Sequence, residues 1–430
     1  MKTYISPEKV QWSNLFARPT ASYEALEGIV LDVFNNVQKE GDKAVAAYTQ
    51  QFDNVSLKNS AVNPDEIETA VSRVSEELKE SIQLAKANIE AFHKAQHTPA
   101  VQVTTQQGVN CWQEKRPIQK VGLYIPGGSA PLFSTILMLA IPAQIAGCEE
   151  IILCSPPDKQ GNLPDVVLYT AQLCGITKIF KVGGIQAIAA MTFGTASIPA
   201  VYKLFGPGNQ YVTVAKQWAT RYNMAIDMPA GPSELLVVAD ASANPAYVAA
   251  DLLSQAEHGP DSQVILVTTD QSILSLVQAE INQQLALLPR KDIAEKAIAN
   301  SKMIAFDSDE IAIDFINQYG PEHYIICMEN EELYLKNIQN AGSVFVGNYT
   351  PESAGDYASG TNHTLPTNGY AKQYSGVNLD SFLKQMTFQK ISAKGLQNIG
   401  PAIEIMAQAE GLQAHKNAVT LRLNDLKDEQ

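Results

Sequence analysis

Residues 121–154 contain the stretch that decides the fold: VGLYI at 121–125, SAPLFSTILMLAIPAQIAG at 129–147 and IILC at 151–154. Two short apolar runs around an apolar segment of helical length are typical of a strand, a helix and a strand. No charged residue occurs from Val121 to Cys148, so a membrane-spanning helix is the alternative interpretation. Prolines and glycines interrupt the segment, which favours a buried strand–helix unit: Pro126, Gly127, Gly128, Pro131 and Pro142.

The same alternation continues along the chain and predicts the fold class. Short apolar runs recur between helical stretches and turns: KIFKV at 178–182, VYKLF at 201–205, AIDM at 225–228, LLVVAD at 235–240, VILVTT at 264–269, YIICM at 324–328 and SVFVG at 343–347. Alternating strands and helices form mostly parallel sheets with helices on both faces. The chain has more strands than one small sheet needs. We therefore predict an α/β fold of two doubly wound, Rossmann-like but incomplete lobes.

The first hundred residues have a helical pattern. Asn63-Pro64-Asp65-Glu66 is a helix start, because Asn is a preferred cap, Pro fits the first turn and acids favour the helix N-terminus. Apolar residues then recur at helical spacing from Ile67 to Phe92, which predicts one long amphipathic helix. Beyond residue 376 the chain combines a strand-like segment, QMTFQKIS at 385–392, with two helical segments.

Composition excludes several classes of protein. Of the 430 residues, 45% are hydrophobic and 18% are charged, as in globular proteins. Lys and Arg number 31 against 45 Asp and Glu, so the net charge is −14 and no basic run attracts nucleic acid or anionic membrane. Five scattered cysteines without a CxxC indicate reduced thiols in the cytoplasm. The N-terminus lacks the apolar core of a signal peptide.

Two predicted helix ends carry histidines. His93 and His97 lie four residues apart, a spacing that can bind a metal, but a solvated helix end is favoured over a metal site. Residues 247–258 also have a helical pattern, in which Gln255 and His258 share one face. The helix dipole favours a cation near His258. An exposed helix end is the alternative interpretation there.

Acidic and imidazole side chains also occur together in the second half of the chain. Glu322 and His323 precede the strand at 324–328 and are candidates for an acid–base pair. Adjacent strand residues point to opposite faces, however, which argues against joint action. The segment 350–370 has no periodicity, and a loop of this length is usually functional or disordered. Its Asp and His, and an acid and a histidine in the tail, favour function: Asp356, His363, Glu410 and His415.

These residues contain a possible ligand set for a metal. Gln255, His258, Asp356 and His415 would give the mixed oxygen and nitrogen donors suited to zinc or a similar divalent ion. Their spacing in the sequence does not show that they converge.

Three glycine-containing turns are candidates for binding phosphate through backbone N–H groups at a helix start: Gly127-Gly128, Gly183-Gly184 and Gly206-Pro207-Gly208-Asn209. None of them is a GxGxxG motif, no GK[ST] follows, and the strand IILC is not followed by the acid that binds ribose. These features alone leave dinucleotide binding open.

Seven segments together resemble the histidinol dehydrogenase family, in the family's order and over essentially the whole chain: KVGLYIPGG at 120–128, FGPGNQYV at 205–212, IDMPAGPSELLVVAD at 226–240, DLLSQAEHG at 251–259, GPEH at 320–323, SAGDYASGTNHTLPT at 353–367 and EGLQAHKNAV at 410–419. Members of that family oxidise L-histidinol through the aldehyde to L-histidine, the last steps of histidine biosynthesis. They use NAD for two successive hydride transfers.

The resemblance implies a role for each residue that matches. Zinc, one ion per chain, would be bound by Gln255, His258, Asp356 and His415. Glu322 and His323 would be the catalytic pair. Besides His323 and the four zinc ligands, three residues would contact the substrate: Ser233, His363 and Glu410. Three more would line the NAD site: Tyr124, Gln186 and Asn209.

The resemblance also implies a homodimer and a division of the chain. Residues 1–24 would form an N-terminal arm, 25–118 with 234–375 a first lobe carrying the metal and catalytic residues, and 119–233 a second lobe that binds NAD. Residues 376–430 would be a swapped tail that completes the partner's site. Glu410 and His415 would then act across a two-fold interface.

Three other functions compete with this interpretation. A related dehydrogenase could act on another small polyol or amino alcohol, although His363, Glu410 and the full ligand set argue against it. A hydrolase could use the same metal ligands without a cofactor. A non-catalytic protein could bind a metal or a small ligand.

Overall fold

The computed structural model, which describes residues 1–19, 24–127, 131–229 and 231–428, alternates strands and helices over much of the chain. Its strands, in chain order, are β1 (Lys2–Ile5), β2 (Val101–Gln106), β3 (Val109–Pro117), β4 (Lys120–Tyr124), β5 (Glu150–Ser155), β6 (Lys178–Lys181), β7 (Lys203–Phe205), β8 (Ala225–Ile226), β9 (Glu234–Ala239), β10 (Gln263–Thr268), β11 (Lys302–Ala305), β12 (His323–Cys327), β13 (Ser343–Val346) and β14 (Leu383–Ile391).

The α-helices fill most of the intervals between the strands. In chain order they are α1 (Trp12–Leu15), α2 (Glu24–Glu40), α3 (Asp42–Asp53), α4 (Pro64–Arg73), α5 (Glu76–Lys94), α6 (Ser134–Ala146), α7 (Asp165–Leu173), α8 (Gly184–Phe193), α9 (Gln210–Ala219), α10 (Pro245–Ala256), α11 (Ser272–Leu285), α12 (Lys291–Asn300), α13 (Asp309–Tyr319), α14 (Glu331–Asn337), α15 (Glu352–Tyr357), α16 (Ala393–Ala409) and α17 (Gln413–Asp428).

The described residues form two compact units, and the first contains two parallel sheets. This unit consists of residues 1–96 and 118–382. One sheet has six strands in the order β1-β11-β10-β9-β12-β13, and the other has five in the order β6-β5-β4-β7-β8. All strand pairs in both sheets are parallel. The predicted α/β fold with two parallel sheets is thus confirmed.

Each parallel sheet is covered by helices on both faces, as a doubly wound fold requires. Along β9, Leu235 and Val237 belong to the core under α10, α11 and α12. The alternate residues Leu236 and Val238 belong to the core under α1 and α13. Successive strand side chains point to opposite faces, so a strand buried on both sides is apolar throughout. This is why the strands are recognisable as unbroken apolar runs.

The uncharged stretch from Val121 to Cys148 forms β4 and α6, as predicted. Val121 and Leu123 are completely buried, and so are most residues of α6. Within the described part of the chain, no helix combines the length and the apolarity that crossing a membrane demands.

The N-terminal segment differs from the prediction in two respects. The long helix predicted from Ile67 to Phe92 is two helices, because Val74 is extended and the Ser75 hydroxyl caps α5 by accepting the Leu78 N–H. The first residues form β1, which pairs with β11 at the edge of the six-stranded sheet. Helices α2 to α5 pack on the two faces of the five-stranded sheet. The lobe boundaries themselves stay a prediction.

His93 is not at a solvated helix end, and that prediction is wrong. Its ring is completely buried, Nδ1 donates to the Ile89 carbonyl (2.8 Å), and Nε2 lies 3.3 Å from Asn362 Nδ2. Burial lowers the pKa of His93, so the imidazole is neutral. The sequence did not indicate this burial, because the contact with Asn362 joins residues 269 positions apart. His97 is exposed.

The second unit consists of residues 97–117 and 383–430. It contains a three-stranded antiparallel sheet in the order β14-β3-β2 and the helices α16 and α17. The predicted strand and two helices of the tail are therefore present.

Candidate active site

Glu322 and His323 lie where β12 begins, and each is only 4% exposed. The Glu322 Oε2 atom accepts the N–H of Glu234, the first residue of the neighbouring strand β9 (2.8 Å). The His323 Nδ1 atom lies 3.2 Å from the carbonyl oxygen of the same residue. Because Glu322 precedes the strand, the alternation of strand side chains does not separate it from His323. Both line one cavity.

The contact with Glu234 decides which nitrogen of His323 can act as a base. A carbonyl oxygen only accepts, so Nδ1 carries the proton and donates it to this bond. Among the residues that the structure describes, the Nε2 atom has no hydrogen-bond partner, and it lies 3.8 Å from Asp356 Oδ1. Burial lowers the pKa of His323 and favours the neutral ring. His323 therefore has an unprotonated Nε2 atom available for a substrate proton.

Two carboxylates of the short helix α15 lie beside this imidazole. Glu352 and Asp356 are four residues apart and share a helix face. Glu352 Oε1 lies 3.5 Å from His323 Nδ1, and one ligand atom from each of His323, Glu352 and Asp356 lies within 4.8 Å of the others. Burial raises the pKa of Glu352 and of Glu322 well above the ordinary value. A bound cation would stabilise the ionised form of these neighbouring carboxyl groups.

Helix α15 was not predicted, since residues 350–370 were expected to lack regular structure. It places Asp356 against His363, whose Nδ1 donates to the Asp356 carbonyl (2.9 Å). The His363 Nε2 atom lies 3.1 Å from Thr135 Oγ1 of α6. These two contacts fix the orientation of the His363 ring at the cavity.

Gln255 and His258 occupy the end of α10 and the turn after it. Gln255 is completely buried, yet neither Oε1 nor Nε2 has a hydrogen-bond partner in the described part of the chain. Buried amides are normally paired, so the Gln255 amide is a candidate for binding a metal ion. His258 is exposed and lines the same cavity as His323 and Asp356. The structure thus brings His258 and Asp356 to one site, with Gln255 one helical turn before His258.

Glu410 and His415 belong to the second unit. Glu410 directly follows α16, His415 lies in the first turn of α17, and both are exposed. Their predicted roles at a partner's site stay a prediction.

Two of the cavities lined by the described residues of the first unit share part of their walls. The smaller, of about 160 Å³, is lined by Glu322, His323, Asp356 and His363. The larger, of about 930 Å³, extends along the carboxyl ends of β4, β6 and β7. Five residues line both: Leu132, Pro207, Gly208, Ser233 and His258. The predicted substrate residue Ser233 is therefore at the junction of the two cavities.

The three glycine-containing turns converge on the larger cavity, which is lined by Gly127, Gly184, Gly208 and Asn209. Gly128 lies outside the described residues. Gly206 has a φ of 127°, and a Cβ there would lie 2.0 Å from the Tyr124 carbonyl oxygen, so only glycine fits. The helices α8 and α9 begin at this cavity, where helix N-termini favour phosphate.

The residues predicted for NAD occupy different positions around this cavity. Tyr124 lines it, and its hydroxyl accepts the Gly184 N–H (3.2 Å). Asn209 also lines it and caps α9 through the Val212 N–H (3.2 Å). Gln186 is completely buried, and its Nε2 donates to Asp53 (3.3 Å), while its Oε1 has no partner among the described residues.

Comparison with known proteins identifies the family. The family model described as histidinol dehydrogenase matches residues 16–423. The chain belongs to the histidinol dehydrogenase family. It is 58% identical to the histidinol dehydrogenase of Bacteroides thetaiotaomicron over 99% of this chain and 100% of that one. The enzyme of Yersinia pestis is 52% identical over 97% and 94% of the two chains.

A solved structure supports the same assignment. The crystal structure of histidinol dehydrogenase from Elizabethkingia anophelis superposes with a TM-score of 0.97 at 58% identity, over 99% of each chain. The resemblance found in the sequence motifs is therefore confirmed, together with the fold.

Several residues beside the family motifs were missed by sequence reasoning. Glu352 lies four residues before Asp356, and that spacing would have indicated a shared face had 352–357 been recognised as a helix. Thr135 and Glu234 lie within the quoted segments, but nothing in their spacing indicates contact with His363 or His323. Those contacts span 228 and 89 residues.

Proposed function

We propose that this chain oxidises L-histidinol to L-histidine through L-histidinal, with NAD as oxidant and zinc as the substrate anchor. The observation that carries the proposal is the buried pair Glu322 and His323, with a free Nε2 atom, at a cavity that opens into a larger one suited to a dinucleotide. Family membership supports the choice of substrate. Cytoplasmic location stays a prediction from the cysteine pattern.

The donor set fits a zinc ion. Gln255 has an unpaired buried amide, and His258 and Asp356 line the cavity beside it. These residues with His415 of the partner subunit would hold the ion, which would anchor the imidazole and amine of histidinol. Such an anchor leaves the reacting carbon free in the cavity.

The larger cavity fits NAD in size and in its walls. Three backbone turns and two helix N-termini face it. Its lining includes Tyr124 and Asn209, and the buried Gln186 lies in the first turn of α8, which begins at this cavity. Bound NAD would supply the hydride acceptor for both oxidations.

His323 acts on the alcohol. As the hydride leaves the carbinol carbon, His323 Nε2 accepts the hydroxyl proton, and the alcohol becomes the aldehyde. The Nδ1–H bond to the Glu234 carbonyl holds the ring in the tautomer that this step needs.

Glu322 acts on the aldehyde. Its raised pKa makes the carboxylate a stronger base than an exposed one, suited to removing a proton from the water that hydrates the aldehyde. Oxidation of the hydrate then gives the carboxylic acid. Ser233, His363 and the partner's Glu410 would contact the substrate meanwhile and keep the aldehyde in the site.

A homodimer would supply Glu410 and His415. The second unit exposes large apolar side chains near these residues and on its sheet: Val101 (57%), Ile405 (70%), Met406 (64%) and Leu421 (57%). Apolar side chains exposed in this number are typical of a surface that another subunit covers.

The deciding experiment follows NADH formation with histidinol and NAD. We expect two NADH per histidinol and L-histidine as the product. A panel of other amino alcohols and polyols tests the related dehydrogenases. Absence of NADH would overturn the proposed function, and one NADH per histidinol would overturn the second oxidation.

The zinc ligands are tested by metal content. We expect His258→Asn to lose the bound zinc that the wild-type protein retains through dialysis, because a ligand is removed. Glu352→Gln should keep it, since Glu352 is not among the proposed ligands. His97→Asn, at an exposed histidine, is the control. Zinc lost from Glu352→Gln but kept by His258→Asn would instead place the ion at His323, Glu352 and Asp356.

A further inference from the structure

Glu234 touches both members of the catalytic pair through its backbone. Its N–H donates to Glu322 Oε2 (2.8 Å), and its carbonyl accepts from His323 Nδ1 (3.2 Å). The orientation of two side chains therefore depends on where one peptide segment lies. An error of about 1 Å in such a position can cost about 10²-fold in rate.

The side chain of Glu234 is itself held from three directions. The Arg18 guanidinium donates to both carboxylate oxygens, through Nε to Oε2 and through Nη2 to Oε1 (3.1 Å). The Tyr319 hydroxyl lies 3.0 Å from Oε2 and 3.0 Å from Gln263 Oε1. The Gly369 N–H donates to Oε1 (3.3 Å). The Glu234 side chain is 1% exposed and that of Arg18 11%.

Arg18 is equally constrained. It donates to the carbonyls of Tyr319 (3.0 Å) and Phe16 (3.3 Å), and its guanidinium lies 4.1 Å from the centre of the Tyr319 ring. The segment before α2, the end of α13 and the turn at Gly369 are thus joined at the first residue of β9. This cluster of Arg18, Glu234 and Tyr319 is called the Glu234 clamp below.

We propose that the Glu234 clamp is a positioning device for catalysis: Arg18 and Tyr319 hold Glu234, and the Glu234 backbone orients Glu322 and His323. The inference rests on the proposed function. A buried ion pair is weak as a source of stability, since desolvation offsets much of the attraction. Its directional contacts instead fix geometry, as the supporting shell of an active site must.

Two variants separate positioning from stability. Arg18→Met leaves the Glu234 carboxylate buried without its counter-charge, and we expect a lower melting temperature. Arg18→Met with Glu234→Met replaces the ion pair by apolar side chains of similar length, which recovers stability. The double variant does not restore the hydrogen bonds that hold the side chain at position 234. We therefore expect kcat for histidinol to stay about 10- to 100-fold low in both variants, with KM within about 2-fold of wild type.

Lys9→Met is the matched control, because Lys9 pairs with Asp314 on the surface of the same unit. It should leave kcat unchanged. If the double variant recovers both kcat and the melting temperature, the proposal is overturned, and the clamp contributes to stability alone. Should the double variant fail to fold, Tyr319→Phe removes only the hydroxyl, which contacts Glu234 Oε2 and Gln263 Oε1 (3.0 Å each). An unchanged kcat in that variant would equally overturn the proposal.

A readout without turnover distinguishes failure of the clamp from failure of the proposed function. Wild-type activity with histidinol reports on the proposed function alone. Crystal structures of wild type and the double variant report on the clamp, through the distance from His323 Nδ1 to the Glu234 carbonyl oxygen. We expect that distance to lengthen beyond a hydrogen bond, and an unchanged distance contradicts the proposal.

Discussion

The His323→Asn variant is expected to oxidise histidinol about 10²–10⁴-fold more slowly, the usual loss on removal of a general base. Asparagine keeps a polar side chain of similar reach but offers no basic nitrogen where Nε2 lies. Glu322→Gln keeps the shape of its side chain and loses the base, so it should damage oxidation of the aldehyde more than that of the alcohol. Stopped reactions started from histidinol or from histidinal measure the two half-reactions separately.

The decisive measurement compares the activities of the two variants with histidinol and with histidinal. His323→Asn supplied with histidinal should retain more of its activity than with histidinol, and Glu322→Gln should show the opposite preference. The Lys9→Met variant again serves as a control for handling and folding. Equal losses in both half-reactions for both variants would refute the division of labour and leave the enzyme assignment intact.

Mixing two inactive variants should restore activity if the site is shared between subunits. His258→Asn and His415→Asn each lack one proposed zinc ligand, and we expect each to be inactive. After joint unfolding and refolding, half of the dimers are mixed. In a mixed dimer one site has both defects and the other has neither, so about a quarter of wild-type activity should return by two-fold symmetry.

A second mixture is the matched control for this experiment. His258 and Asp356 both line the cavity of the first unit, so they come from the same chain at each site. Mixed dimers of His258→Asn and Asp356→Asn therefore have one defect at every site and should stay inactive. If His258→Asn and His415→Asn also recover nothing, while mixed dimers are demonstrably present, His415 serves its own chain.

Local patterns predicted much of the fold because they act over short distances. The cap at Asn63 forms as expected, with Asn63 Oδ1 accepting the Glu66 N–H (2.9 Å) and Glu66 Oε2 accepting the Asn63 N–H (2.8 Å). The break between α4 and α5 was missed, because apolar spacing continues across Val74 and only the Ser75 cap marks it. The edge strand β1 was missed because four residues carry too little pattern.

The proposed site residues were recognised as motifs, but the sequence did not determine their geometry. Glu322 and His323 lie at the amino ends of strands in the six-stranded sheet, whereas the larger cavity lies at the carboxyl ends of the five-stranded one. Ligands of open α/β sheets are expected at carboxyl ends. Only the arrangement of the two sheets within the first unit makes Ser233 and His258 line both cavities.

By itself, the sequence determined the fold class, most of the strands and the family, because apolar periodicity and contiguous motifs are local properties of a chain. The tertiary structure alone decided the burial of His93, the helix that presents Glu352 with Asp356, and the contact of Glu234 with Glu322 and His323. Each of these depends on residues far apart in sequence meeting at a distance of a few ångströms. Packing of the whole domain, and no local pattern, brings such residues together.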